Sequence, residues 1–231
     1  MLPGISVVHP GGNSHSGILV LTDHDFGSGK DNATYDFGVA YAGRVIAVAI
    51  NYASANKIST VTIGGVSATK RVADAVNDGI FGEDHNSEIW SAVVPTGATG
   101  NITCALSAGS YAAFAMAVYS VGASSATPSS TAHANDTPVF NGDPVDMTVN
   151  LSPSVNNSMV IGCASMSRLS GTTNTWSQGP TEDLDYQYIS YLAATNASKS
   201  MVNSGTYTVE VKMDQLFALT SGCMATACWS P

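Results

Sequence analysis

The run Arg44-Val-Ile-Ala-Val-Ala-Ile-Asn-Tyr52 is almost continuously apolar and has the length of one β-strand. A strand with one wet face would alternate apolar and polar residues, whereas a strand covered on both faces would not. The helical spacing of apolar residues hardly occurs in the chain. The run therefore predicts the central strand of a sheet that is buried on both sides.

A hairpin is predicted directly after this strand. Ile58–Ile63 and Val66–Val72 flank the pair Gly64-Gly65. Paired glycines supply the positive φ angles that a tight hairpin turn requires. The two flanking segments are therefore expected to pair as antiparallel strands.

Other short apolar runs follow, separated by clusters of Gly, Asn, Asp, Ser and Pro. Val145–Leu151 and Tyr207–Met213 alternate apolar and polar residues, which places one face in the core and one in water. The runs 102–106 and 114–118 are predicted to pair as neighbours. Further strands are predicted at 159–166, 186–193, 216–220 and 223–229.

These strands predict an all-β fold, a two-sheet antiparallel sandwich that is jelly-roll-like. Immunoglobulin-like strand order stays open, because periodicity reveals strands but not their order. We expect residues 1–30 to form an N-terminal arm and a first strand, and residues 31–231 to form a single sandwich domain. Segment 122–144 begins with Ser, Thr, Gly and Pro, a composition that could mark a domain boundary. We predict a long crossover loop instead, because the parts of the chain on either side have too few predicted strands to close two independent cores. The sequence shows no internal repeat.

The composition limits the possible functions. Of the 231 residues only 11% are charged and 44% are hydrophobic, and the net charge is -9 with 8 Lys and Arg together. Monomers usually protect exposed strand edges with charge, so this surface suits a protein held in an assembly, such as a homo-oligomer. The absence of a basic patch argues against nucleic-acid binding. No apolar run is long enough to span a bilayer, so no membrane partner is expected.

The four cysteines form no CxxC pair, and two of them lie in apolar, strand-like runs. We therefore expect buried free thiols at Cys104, Cys163, Cys223 and Cys228. A disulfide between Cys223 and Cys228 would need a sharp bend, because residues five apart on an extended strand are too far separated.

The densest acidic cluster is Thr181-Glu182-Asp183-Leu184-Asp185. Carboxylates at alternate loop positions are ligands that Ca²⁺ accepts, so Glu182, Asp183 and Asp185 are the candidate metal ligands. The alternative is a polar loop without an ion. A structural Ca²⁺ is thus the one cofactor that the sequence raises, and no other is expected.

Three aromatic residues near this cluster are candidates for glycan binding. Trp176 lies in a polar stretch that predicts a loop, and Tyr186 and Tyr188 belong to a row of tyrosines. Aromatic rings can stack on the apolar faces of sugars, although core packing is their more frequent use. Trp176, Tyr186 and Tyr188 are therefore the predicted glycan-binding residues.

The sequence contains no signature of catalysis: no GxSxG elbow, P-loop, HExxH or complete GxGxxG motif occurs. Glu182 and Asp183 could form a glycosidase pair only if a sugar-binding cleft lay between two carboxyl groups, and spacing alone does not establish this. We therefore expect no catalytic residues and no enzymatic activity.

Several motifs together resemble those of an uncharacterised family of structural proteins encoded in phage and prophage virion gene clusters. The matching segments occur in the family's order, and they are turns and strands rather than catalytic signatures. They are Phe37-Gly-Val-Ala-Tyr-Ala-Gly-Arg-Val-Ile-Ala-Val48, Val61-Thr-Ile-Gly-Gly-Val-Ser-Ala-Thr69, Trp90-Ser-Ala-Val-Val-Pro-Thr-Gly-Ala-Thr-Gly-Asn-Ile102 and Thr181-Glu-Asp-Leu-Asp185.

The resemblance implies a structural protein on the surface of a bacteriophage virion, either a capsid decoration (cement) protein or a fibre component. Such a protein is assembled in the host cytoplasm. Its partners would be the major capsid protein or other virion proteins, and a trimer is the favoured homo-oligomer. The alternative is a carbohydrate-binding host-adsorption module of a phage tail, whose partner would be host surface glycans.

Overall fold

The structure is a computed structural model that describes residues 17–27, 32–77, 84–136, 144–166, 174–188, 192–213 and 221–231. Within these ranges there are seventeen β-strands and no helix. The strands are β1 (Leu19–Gly27), β2 (Asn32–Asp36), β3 (Val45–Ala53), β4 (Ile58–Ile63), β5 (Val66–Ser67), β6 (Thr69–Asn77), β7 (Asp84–Val93), β8 (Thr99–Leu106), β9 (Ala113–Val121), β10 (Ser130–Asp136), β11 (Val145–Leu151), β12 (Ser158–Met166), β13 (Asn174–Gln178), β14 (Thr181–Tyr188), β15 (Leu192–Val202), β16 (Tyr207–Met213) and β17 (Gly222–Trp229). The predicted all-β antiparallel sandwich is confirmed, although four sheets are present where two were expected.

The first half of the chain, residues 19–121, forms one pair of sheets. Inner sheet 1 has the order β1-β9-β3-β7-β6, and outer sheet 1 has the order β2-β8-β4-β5. The pairing is nested, because β1 pairs with β9, β2 with β8, β3 with β7 and β4 with β5. The prediction that 102–106 and 114–118 pair is wrong: β8 and β9 lie in facing sheets, where the apolar face of each is buried against the other sheet.

The second half, residues 130–229, repeats this arrangement. Inner sheet 2 has the order β10-β17-β12-β15-β14, and outer sheet 2 has the order β11-β16-β13. The pairing is again nested, because β10 pairs with β17, β11 with β16 and β12 with β15. The strand order is therefore repeated although the sequence shows no internal repeat, since quite different side chains can form the same strand order.

The predicted crossover loop near 122–144 also needs correction, because it contains β10. This strand consists of small and polar residues that alternate between partly buried and exposed positions. It therefore lacks the apolar pattern by which a strand is recognised in sequence. The expectation that residues 31–231 form a single domain stays a prediction. Of residues 1–30, which were predicted to form an arm and a first strand, residues 1–16 and 28–30 lie outside the described residues.

The four sheets stack in the order outer 1, inner 1, inner 2, outer 2, with an apolar cluster in each of the three gaps. Phe37 and Trp90 belong to the cluster between outer 1 and inner 1. Ile161 and Trp229 belong to the cluster between the two inner sheets. Val211 belongs to the cluster between inner 2 and outer 2. Every inner sheet therefore has two dry faces.

Strand β3 shows why its sequence is continuously apolar. All of its residues are buried. Val48 and Ile50 point into the gap between outer 1 and inner 1, whereas Val45 and Ala47 point into the gap between the inner sheets. The predicted central strand is confirmed.

The remaining strand predictions are confirmed in part. Gly64 and Gly65 have φ angles of +58° and +79° and form the predicted hairpin turn, but β5 ends at Ser67 and the chain then crosses to inner sheet 1 as β6. The predicted strand 186–193 is divided between β14 and β15. The predicted strand 216–220 lies outside the described residues.

Candidate functional site

The predicted metal ligands lie on a strand and not in a loop, because Thr181–Tyr188 is β14. Asp183 occupies a β-bulge and accepts a hydrogen bond from the hydroxyl of Tyr119, on inner sheet 1, at 2.9 Å. Asp185 accepts one from the side-chain amide of Asn174, on outer sheet 2. The two carboxylates therefore point to opposite sides of inner sheet 2.

This geometry does not bring the carboxylates of the predicted calcium ligands together. The expectation that these residues lie in a loop is wrong. Among the described residues no three His, Cys, Asp or Glu side chains are placed to hold a metal ion. Glu182 is exposed, and desolvation together with the charges of Asp185 and Asp183 raises its pKa. A structural Ca²⁺ stays a prediction that these three carboxylates do not support as a set.

Trp176 is a packing residue on β13 and not a loop residue. Its indole N–H donates a hydrogen bond to the hydroxyl of Thr195 at 2.9 Å. Its six-membered ring covers Gly162 so closely that a Cβ atom there would lie 2.8 Å from the ring. The ring packs against the cluster between inner sheet 2 and outer sheet 2. The sequence predicted a loop because the neighbours of Trp176 are polar. On so short a strand, the alternation of apolar and polar residues could not be recognised.

Tyr186 lies on the other face of inner sheet 2, in the gap between the two inner sheets. Its side chain is 7% exposed, and its buried hydroxyl has no hydrogen-bond partner among the described residues. Burial, and then the charges of Asp25 and Asp23, raise its pKa far above the usual value. Trp176 and Tyr186 are thus separated by a sheet, and the side chain of Tyr188 lies outside the described residues. The structure does not assemble the predicted glycan-binding platform.

A different aromatic contact occurs where β1 meets β14. Phe26, on β1, is 53% exposed, and its ring centroid lies 5.3 Å from that of Tyr186. The imidazole of His24 lies 6.3 Å from the same tyrosine ring. The adjacent carboxylates are those of Asp23 and Asp25. We call these five residues, Asp23, His24, Asp25, Phe26 and Tyr186, the β1–β14 edge.

The β1–β14 edge combines an exposed ring with acceptor groups. An exposed aromatic ring can stack on an apolar sugar face, and carboxylates can accept hydrogen bonds from sugar hydroxyls. Asp23 also has a structural role, because its carboxylate accepts the backbone N–H of Asp36, at 2.8 Å, and so ties β2 to β1. The sequence placed Asp23 to Phe26 side by side, but only the structure brings Tyr186 to them.

Sequence reasoning also missed a buried carboxylate, that of Glu88 on β7. Glu88 is 2% exposed and accepts hydrogen bonds from the Tyr52 hydroxyl at 2.7 Å, the Trp90 indole at 2.7 Å and the Lys70 ammonium at 3.0 Å. Lys70 also lies 4.9 Å from the centroid of the Trp90 ring. A buried carboxylate is costly unless it is paired and hydrogen-bonded, and here three donors satisfy it. Glu88 therefore links β3, β6 and β7 of inner sheet 1, on the face of that sheet that points toward outer sheet 1.

Arg44 is a second buried ion, with no exposed surface. Its guanidinium donates to five backbone carbonyl groups, from two chain segments that flank it at one end of the first half. The five acceptors belong to Phe37, Gly38, Val94, Thr96 and Gly97. Guanidinium groups have five N–H donors, so every donor is used.

The cysteine prediction is confirmed, because all four cysteines are buried and none of them forms a disulfide. Cys163 and Cys223 lie in the gap between the inner sheets, where desolvation raises the pKa of both thiols, to about 11 for Cys223. The Cys223 thiol donates to the backbone carbonyl of His85. A thiol that stays protonated at neutral pH is a weak nucleophile. These thiols therefore act as packing groups.

Comparisons with protein family models, with curated proteins and with solved structures gave no match. The described residues contain no helix with the length and apolarity needed to cross a membrane. The functional argument therefore depends on the fold, on the surface chemistry and on the sequence motifs.

Proposed function

We propose that this protein is a structural component of a bacteriophage virion surface, a capsid decoration protein or a part of a fibre. The observation that carries the proposal is the nested strand pairing of both halves, in which the first strand pairs with the last and the second with the next to last. This is the order expected of a jelly roll, an architecture used by viral capsid proteins and by lectins. Because fold alone does not determine function, the virion location is taken from the resemblance of the sequence motifs.

The outer sheets supply a second argument. On outer sheet 1 the hydroxyl of Thr34 donates to Asn101 at 2.6 Å, and Thr62 and Thr103 share a hydrogen bond. On outer sheet 2 the hydroxyl of Thr208 donates to Asn150 at 2.9 Å. Side chains that are already held by their neighbours lose little entropy when a partner covers them. Such polar, pre-ordered faces suit broad contact with other virion proteins.

The test is the mass of the purified protein by light scattering, alone and after mixing with phage particles that lack it. We expect a closed homo-oligomer, with a trimer favoured, that adds to the particles at a fixed ratio. Thr103→Arg and Thr148→Arg place a charge on outer sheets 1 and 2, and at least one of them is expected to reduce addition without unfolding the protein. A monomer that ignores the particles would contradict the proposal.

The β1–β14 edge favours one second candidate, host adsorption through surface glycans. Phe26 presents the exposed ring that such binding needs, and the carboxylate of Asp25 accepts its backbone N–H at 2.8 Å. Phe26→Ala should then abolish retention on a host-glycan column, while far-ultraviolet circular dichroism shows that the variant is still folded. The matched control is Val66→Ala, because Val66 is also an exposed apolar residue, at 40%, on a different sheet. Full retention by Phe26→Ala would remove this candidate.

A further inference from the structure

We propose that the chain is a fused dimer, in which residues 19–121 and 130–229 are copies of one module joined face to face about a local twofold axis. The inner sheet of each half is then an interaction surface, and the partner that fits it is the other half. The inference stands on the topology and does not depend on the proposed function.

The first argument is the correspondence of strand order. If β1 corresponds to β10, β3 to β12, β6 to β14, β7 to β15 and β9 to β17, then the orders of the two inner sheets coincide position by position. The outer sheets coincide in the same way when β2, β8 and β4 correspond to β11, β16 and β13. Only β5, the short second strand of the hairpin, has no counterpart among the described residues.

Local irregularities coincide as well. The edge strand β6 begins at Thr69 and shifts register between Lys70 and Val72. Its counterpart β14 begins at Thr181 and shifts register between Glu182 and Leu184. A β-bulge is a specific local feature that strand order does not require. Its presence at the same place in both halves is therefore evidence for duplication.

A cross-strand pair is repeated too. Thr34 of β2 lies opposite Asn101 of β8, and the threonine hydroxyl donates to the asparagine. In the second half Asn150 of β11 lies opposite Thr208 of β16, with the same hydrogen bond. The threonine is on β2 in the first half and on β16 in the second, so the two residue types have exchanged strands. Both pairs nevertheless join corresponding strands.

The stacking of the inner sheets supplies the axis. Strand β3 packs on β12, β1 packs on β14 and β6 packs on β10. When corresponding strands of the two halves are exchanged, the β3–β12 contact maps onto itself. The β1–β14 contact maps onto the β6–β10 contact. The contacts of β7 with β17 and of β9 with β15 exchange in the same way. An interface that is unchanged by exchange of its two sides is isologous, as in a twofold dimer.

The packing is divided so that each half keeps a core of its own. One apolar cluster lies between the sheets of the first half and another between the sheets of the second. Both halves contribute core residues to the clusters between the inner sheets, a larger one that includes Ile161 and Trp229 and a smaller one that includes Tyr186. Disruption of the larger shared cluster should therefore separate the halves without unfolding either.

The experiment uses the full chain with a protease site inserted between Ser124 and Ser125, which are exposed in the connection between the halves. The folded protein is cleaved and examined by native mass spectrometry. We expect the two fragments to remain a 1:1 complex. We also expect the midpoint of urea unfolding to rise with protein concentration after cleavage and to be independent of concentration before it.

A variant distinguishes a true interface from a shared core. In the cleaved protein, Ile161→Asp should release two fragments that both keep their β-sheet circular dichroism. The matched control Thr148→Asp, on the exposed face of outer sheet 2, should leave the complex intact. Loss of the β signal from the cleaved Ile161→Asp protein, or unfolding of the cleaved wild type that is independent of concentration, would overturn the proposal.

Discussion

Replacement of Arg44 by methionine should destabilise the protein, because it removes donors from carbonyl groups that water cannot reach. The Val94 and Phe37 carbonyls, which accept at 2.8 and 3.3 Å, are buried. Leaving a buried acceptor unsatisfied costs about 1–3 kcal/mol. The Gly38, Thr96 and Gly97 carbonyls are only partly buried and can turn to water instead.

Two unsatisfied carbonyls give a loss of about 2–6 kcal/mol. The removal of a buried charge offsets part of this loss, since desolvation of an ion costs several kcal/mol. We expect Arg44→Met to lower the free energy of unfolding by about 2–4 kcal/mol. The free energy of unfolding of Arg44→Lys should lie between those of the wild type and Arg44→Met, because an ammonium has three donors where a guanidinium has five.

The assay is urea unfolding followed by tryptophan fluorescence and far-ultraviolet circular dichroism. The control is Lys212→Met, which removes the charge of an exposed lysine on outer sheet 2. Surface substitutions of this kind usually change stability by less than about 0.5 kcal/mol. If Arg44→Met were as stable as the control, the carbonyl groups would have other partners and the reasoning would be refuted.

Three further predictions concern stability. Glu88→Gln should lower the free energy of unfolding by about 2 kcal/mol in urea titrations, because an amide cannot accept from all three of its donors, and an unchanged midpoint would contradict this. Burial raises the pKa of Asp183 despite the hydrogen bonds it accepts, so the folded protein binds this proton more tightly than the unfolded chain. Its contribution is therefore complete below pH 3.8, the ordinary value, and is lost as the pH rises through the raised pKa. Urea midpoints measured from acid to neutral pH should show that Asp183→Asn lacks this loss of stability. Identical pH profiles for the wild type and the variant would contradict the prediction. Gly162→Ala should lower the melting temperature through overpacking worth about 1–3 kcal/mol, and Trp176→Phe in the same chain should restore part of it, whereas additive effects would argue against the contact.

The strands that the sequence predicted correctly can each be recognised from the pattern of their own residues. Strand β3 is almost continuously apolar because both of its faces are dry, and β11 alternates because only one face is. Both patterns are visible without knowledge of any other strand.

Strand β10 could not be predicted in this way, because its stability comes from its neighbours. It pairs along its length with β17. The carboxylate of Asp136 and the hydroxyl of Ser130 accept the backbone N–H groups of Asp146 and Ser152, at 3.1 and 3.0 Å, at the two ends of β11. Such polar side chains resemble a loop in sequence, and only the tertiary structure gives them a strand's role.

The candidate site was predicted poorly for a related reason. Trp176 has polar neighbours in sequence, but the space that its ring fills is made by Gly162, on another strand. Tyr186 was named from its row of tyrosines, yet its aromatic partner Phe26 lies in the other half of the chain. Residue type suggested aromatic binding, whereas the partners of each ring depend on sheet stacking that periodicity does not reveal.

The connection at residues 122–129 has a consequence for how the two inner sheets meet. Separate subunits that shared only this interface would dissociate as they became dilute. A short covalent tether keeps each surface at an effective concentration on the order of millimolar with respect to the other, whatever the amount of protein in solution. The stack of four sheets therefore forms with fixed stoichiometry even from the first few chains that a cell makes.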